Sequence, residues 1–264
     1  MSDSRLSAAW ATLSAGRRTA LIPYFTAGFP STQASLDALR AADEVSDIIE
    51  VGVPFSDPLA DGPTIQRSTF EALQAGMTLA GTLELIDRAR LSCPIVVFSY
   101  LNPILRFGVE RFLREAAEVG VGGLLLTDLP AGSDPVVESS VQGSSIDLIR
   151  LVAPTTRPER LTAAVSGAQG FIYLVARLGV TGATPSLARG LADSIAQLRK
   201  ATPLPIAVGF GISTPAQASD VAKLADGVVV GSALVDVLGR EGVPGVRTFL
   251  GSLREALDHM AVAQ

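Results

Sequence analysis

The sequence is poor in the side chains from which nucleophiles and metal sites are usually built. It holds a single cysteine, Cys93, and a single histidine, His259, and its lysines are Lys200 and Lys223. One cysteine excludes an internal disulfide and a cysteine-rich metal site. One histidine, near the end of the chain, excludes a His-rich metal site and is the only one a Ser–His–Asp or Cys–His triad could use. Basic charge is scarce too. Lys and Arg number 21 against 26 Asp and Glu, a net charge of −5, so no basic face is available for nucleic acid. No apolar run is long enough to span a bilayer. The first residues, MSDSRLSAAWATL, lack the charged-then-apolar pattern of a signal peptide, and a mature cytoplasmic protein is expected. Catalysis in such a chain has to run on carboxylates, tyrosines and backbone amides.

What is present is regular alternation. Short runs rich in β-branched residues or Leu recur at 19–25, 46–53, 94–100, 121–128, 146–153, 170–176, 205–211 and 226–231. Their length and continuity suit strands buried on both faces. Helical patterns separate them, at 31–44, 62–76, 78–92, 108–120, 157–167, 190–201 and 214–225. The Ser/Gly-rich piece 131–145 is the weakest of these. An extra helix is expected at 4–15, and further ones after the last strand, in SALVDVL and VRTFLGSLREALDHM. Strand–helix alternation predicts a parallel sheet, and eight units in 264 residues fit a closed α/β (β/α)8 TIM barrel. An open doubly wound sheet predicts a Gly-rich nucleotide loop after the first strand, and TAGFPST is a poor match to it. No linker or shift in composition divides the chain, so residues 1–264 are read as one domain.

In such a barrel, function sits where strands run into their following loops. Glu50 interrupts the second strand, in IIEVGVPFSDPLADGP. A barrel strand meets water on neither face, so a lone interior Glu needs a reason. Apolar neighbours disfavour its ionised form and make it a proton donor near neutral pH. Asp57 and Asp61 follow on a proline-rich loop. Asp57 reads as a turn residue before Pro58, whereas Asp61 is either an Asp-Gly turn or an active carboxylate. GFGIST (209–214) and GSALV (231–235) each place glycine before a helix, at the two positions where barrels commonly hold phosphate. RLGVTGATPSLARG (177–190) has the length of a lid. Tyr173 is either a core aromatic or a substrate contact, and Asp128 either a loop ligand for amides or a functional acid. Tyr100 and Asn102, in SYLNPI, read as packing and turn residues. Trp10 and Phe107 read as packing residues, and Arg177 as a surface residue.

A phosphorylated small metabolite suits this inventory. Carbon–carbon cleavage needs an electron sink, and neither lysine projects from a strand end to form a Schiff base. A lyase here therefore needs a substrate that carries its own sink. An isomerase using two carboxyl groups is the alternative.

Taken together, PYFTAGFP (23–30), EVGVPFSDPLADGPTIQ (50–66), YLNPI (100–104), TDLP (127–130), LVAPTT (151–156), YLVARLGVTG (173–182), GFGIS (209–213) and DGVVVGSALV (226–235) resemble the tryptophan synthase alpha chain family. The resemblance implies retro-aldol cleavage of indole-3-glycerol phosphate to indole and glyceraldehyde 3-phosphate. Protonation at indole C3 then makes an indoleninium, which supplies the sink. By the same resemblance Glu50 shuttles protons, Asp61 accepts from the indole N–H, and Tyr173 lines the site. Thr181 closes onto the aspartate. Gly182, Gly211, Gly231 and Ser232 cradle phosphate, Phe25, Tyr100 and Phe210 contact the indole, and Ile65 is a further substrate-binding residue. The family also implies no cofactor and no metal in this chain. A pyridoxal-phosphate beta chain is the implied partner, in an alpha2-beta2 heterotetramer. Two places depart from the family pattern: DLPAGSDP lacks the acidic pair common after the fourth strand, and Ala176 stands where Ser is frequent.

Overall fold

The computed structural model describes residues 4–153, 155–175, 185–209 and 211–262. Eight parallel strands close into a barrel in sequence order, β1 (Ala20–Thr26), β2 (Ile49–Gly52), β3 (Ile95–Ser99), β4 (Val121–Leu126), β5 (Asp147–Val152), β6 (Ile172–Val175), β7 (Ile206–Gly209) and β8 (Gly227–Val230), with β8 pairing back onto β1. The (β/α)8 barrel expected from the alternation is what forms. Its strands are buried almost throughout, because helices cover the outer face while side chains fill the inside.

Helix α1 (Arg5–Ala15) precedes the barrel. The others follow the strands: α2 (Thr32–Asp43), α3 (Pro63–Gln74), α4 (Leu79–Ala89), α5 (Leu101–Phe107), α6 (Val109–Glu118), α7 (Pro135–Gln142), α8 (Pro158–Ala164), α9 (Pro185–Ala201), α10 (Pro215–Ala222) and α11 (Ser232–Val262). Several open on the caps their sequences offer. Ser4, Ser31, Thr78, Asp134 and Thr214 each accept a hydrogen bond from a first-turn amide, which satisfies a donor the helix cannot. Asp134 is what makes the Ser/Gly-rich piece helical. The two helices expected after β8 are one element broken at Gly242, whose φ of 65° interrupts it just before Pro244. Helix α5 corrects the reading of SYLNPI as a turn. Pro103 falls in its first turn, where no amide hydrogen is needed, and Gly108 at φ 93° ends it.

Helix α1 lies beneath the barrel. Leu6 is fully buried, and Trp10 packs against Phe171, just before β6, with ring centroids 5.6 Å apart. That plugs the end where strands begin. The interior is therefore reached from the other end, where the strands run into loops.

Candidate active site

Strand register stacks the interior side chains in rungs. Tyr24 pairs with Glu50 and Glu50 with Val96; one rung higher, Thr26 pairs with Gly52 and Gly52 with Phe98. Side chains two apart share a face, so Tyr24, Glu50 and Phe98 all point inward. Tyr24, Phe98 and Tyr173 line a cavity of about 450 Å³ at the open end of the barrel, together with Asp61, Ile65, Gly211, Gly231 and Ser232.

Glu50 lies just below that cavity. It is fully buried, and neither carboxyl oxygen has a hydrogen-bond partner among the described residues. Burial pushes its pKa up to about 8, because a charge without compensating dipoles is costly there. At neutral pH Glu50 is mostly a carboxylic acid with a proton to give.

Asp61 sits at the rim, one residue before the N-cap of α3. Burial pushes its pKa up to about 6, opposed by a hydrogen bond from Tyr100, whose hydroxyl donates to Oδ2 at 3.1 Å. The Ala60 amide donates to that same hydroxyl at 2.9 Å, and Phe55 packs on the Tyr100 ring. Tyr100 thus ties the Asp61 loop to the end of β3. At neutral pH Asp61 is mostly ionised. One carboxyl below the cavity is neutral and the other beside it is charged, the separation that acid–base chemistry requires.

Gly211 has φ 84°, a conformation that a side chain makes costly. Gly231 and Ser232 lead into α11, whose first amides and dipole favour an anion.

Most of the residues singled out in the sequence come together here. Glu50, Asp61, Tyr173, Ile65, Gly211, Gly231 and Ser232 are in or against the cavity, and Tyr100 supports it through Asp61. Thr181, Gly182 and Phe210 lie outside the described residues, as do Arg177 and Ala176. Phe25 is a correction. It is fully buried and does not line the cavity; the alternation of the strand turns it to the opposite face from Tyr24. Sequence reasoning missed Tyr24 and Phe98, because only the register of their strands with β2 shows that both point inward. Asp128 is a loop ligand: it accepts from the Leu101 amide at 2.7 Å. No cluster of His, Cys, Asp and Glu suited to a metal ion occurs among the described residues, and no described helix is long and apolar enough to cross a membrane.

Comparison with known proteins adds the identity. The family model described as tryptophan synthase alpha chain matches residues 10–258. The chain belongs to the tryptophan synthase alpha chain family. A tryptophan synthase alpha chain of Acidiphilium cryptum is 47% identical over 239 residues, which are 89% of this chain and 87% of that one. One from Chloroflexus aggregans is 41% identical over 265 residues, 97% of this chain and 99% of the other. Among solved structures, tryptophan synthase of Mycobacterium tuberculosis superposes with a TM-score of 0.88 at 40% identity, over 96% of this chain and 98% of that one. As in the rest of the family, the reaction is the lyase step of tryptophan biosynthesis that converts indole-3-glycerol phosphate to indole and glyceraldehyde 3-phosphate.

Proposed function

We propose that Glu50 and Asp61 divide the acid–base work of this cleavage. The observation that carries the reading is the contrast between them: a sealed, neutral carboxyl on β2 and an ionised one at the rim of the same cavity. Glu50 gives its proton to indole C3. The ring becomes an indoleninium, and the Asp61 carboxylate accepts from its N–H and offsets the positive charge. The Glu50 carboxylate then takes the proton of the glycerol hydroxyl next to the breaking bond. The electrons of that carbon–carbon bond return to the ring, indole and the aldehyde separate, and Glu50 ends protonated as it began. The substrate's own ring is the electron sink, so the step needs no cofactor or metal in this chain.

Tyr173, Ile65 and Tyr100 serve the indole end. Gly211, Gly231 and Ser232 hold the phosphate with backbone amides and a hydroxyl. Thr181, Gly182 and Phe210 complete the site by family resemblance. The chain acts as one cytoplasmic domain over 1–264, with a pyridoxal-phosphate beta chain as its partner in an alpha2-beta2 assembly. Supporting that partner, Leu59, Leu105 and Val136 are exposed apolar residues on segments that follow the neighbouring strands β2, β3 and β4.

The test is indole release from indole-3-glycerol phosphate by Glu50→Gln and Asp61→Asn, each compared with the parent chain in the presence of beta chain. Loss of a group that acts in proton transfer costs about 100-fold or more, and both variants are expected to lose at least that. A Glu50→Gln variant as fast as the parent would remove Glu50 from the chemistry.

A further inference from the structure

At rest Glu50 is fully buried and is not among the residues that line the cavity. Two phenols line the cavity near Glu50, those of Tyr24 and Tyr173, and Tyr24 is the one carried by the strand next to it. Tyr24 stands beside Glu50 in the strand register and lines the cavity. Its ring leans up over β2, where a Cβ at position 52 would fall on the hydroxyl, so Gly52 makes the space that the phenol fills. Gly52 is the next inward position above Glu50 on the same strand. The hydroxyl is therefore set directly between Glu50 and the cavity. It is held there twice over. Phe98 packs edge-on against the ring at 5.4 Å, and the Thr26 hydroxyl, itself 2.7 Å from Ser68 Oγ, shares a hydrogen bond with the phenol.

We propose that Tyr24 is a positioning residue whose hydroxyl meets the Glu50 carboxyl as it rises toward the cavity and supplies the hydrogen bond that its carboxylate lacks at rest. This rests on the roles proposed above for Glu50. The chemistry requires such a donor. Once Glu50 has given its proton to C3 it is an anion in an apolar setting, and an unpaired buried charge is strongly unfavourable. Burial holds the Tyr24 phenol well above its ordinary pKa, aided by the nearby Asp61 and Glu50 carboxyls, so the phenol keeps its proton. It donates and does not itself transfer.

Tyr24→Phe isolates this role, because the ring and its packing stay while the hydroxyl goes. A hydrogen bond to a charged group is worth about tenfold or more. We expect kcat to fall by about tenfold with KM nearly unchanged. The loss of a donor to the carboxylate also raises the pKa of Glu50 in the substrate complex, so the basic limb of the kcat profile should move to higher pH. The measurement is indole release against pH by the chain with beta chain present. Thermal unfolding confirms the variant's fold. Thr26→Val is the second variant: it keeps the phenol but removes its anchor, and should move the same limb in the same direction by less. If Tyr24→Phe keeps the parent kcat, or loses rate with the basic limb unmoved, the proposal fails. A Glu50→Gln variant as fast as the parent would instead overturn the roles given to Glu50, which is a separate result.

Discussion

Two carboxyls with separated pKa values dictate how activity depends on pH. Asp61, pushed up to about 6 by burial, has to be ionised to stabilise the indoleninium. Activity should fall as pH drops through about that value. Glu50, pushed up to about 8, has to be protonated at the start of the cycle, so activity should fall as pH rises through its pKa. A bell in kcat/KM follows, with limbs near 6 and 8 in the free chain. A flat profile from pH 5 to 9 would contradict this division of labour. Glu50 could be found in the sequence because a Glu in a run of Ile and Val has no bland explanation in a barrel strand. Tyr24 could not be told from Phe25 in the same way. A parallel barrel strand is buried on both faces, so polar–apolar alternation does not mark which of two adjacent aromatics points inward. Only the register with Glu50 decides it.

At the scale of elements, α1 matters more than its place outside the strand–helix alternation suggests. Its Leu6 and Trp10 close the end of the barrel where strands begin. Leu6→Ala leaves a cavity under the barrel and should lower stability by about 2–5 kcal/mol, read by urea denaturation. Indole release by the folded fraction should stay within about twofold of the parent, since Leu6 is remote from the open end. A variant as stable as the parent would mean that α1 is not part of the barrel's core. The element pattern itself was legible because the strands are short, continuous and apolar and the helices carry cap residues. Helix α5 was not, because Pro103 reads as a turn signal unless the first turn of the helix is already known to begin at Leu101. Where the sequence had Ser and Gly in place of periodic apolar residues, before β5, the cap at Asp134 decided the outcome.

The whole molecule is asymmetric along the barrel axis. One end is plugged by α1; the other carries the cavity, the loop with Asp61 and an uneven distribution of apolar surface. Leu59 is 93% exposed, Val136 76% and Leu105 48%, and they follow β2, β4 and β3, which are consecutive in the barrel. With Phe70, 60% exposed on α3, these are four exposed apolar side chains on the segments that follow three consecutive strands, the kind of surface that a partner would cover. Because Leu59 and Asp61 share a loop, a beta chain docked there would hold that loop in place and so act on the Asp61 carboxylate. Val136 tests this without touching the site. It lies in the first turn of α7, where an acidic side chain suits the helix dipole, so Val136→Asp should fold normally. A charge buried at the centre of an interface weakens binding by about tenfold or more. Val136→Asp should therefore bind beta chain about tenfold more weakly in a titration, with turnover of the chain alone unchanged. At saturating beta chain its activity should return to the parent value. Unaltered affinity would move the interface away from the β2–β4 sector of the rim.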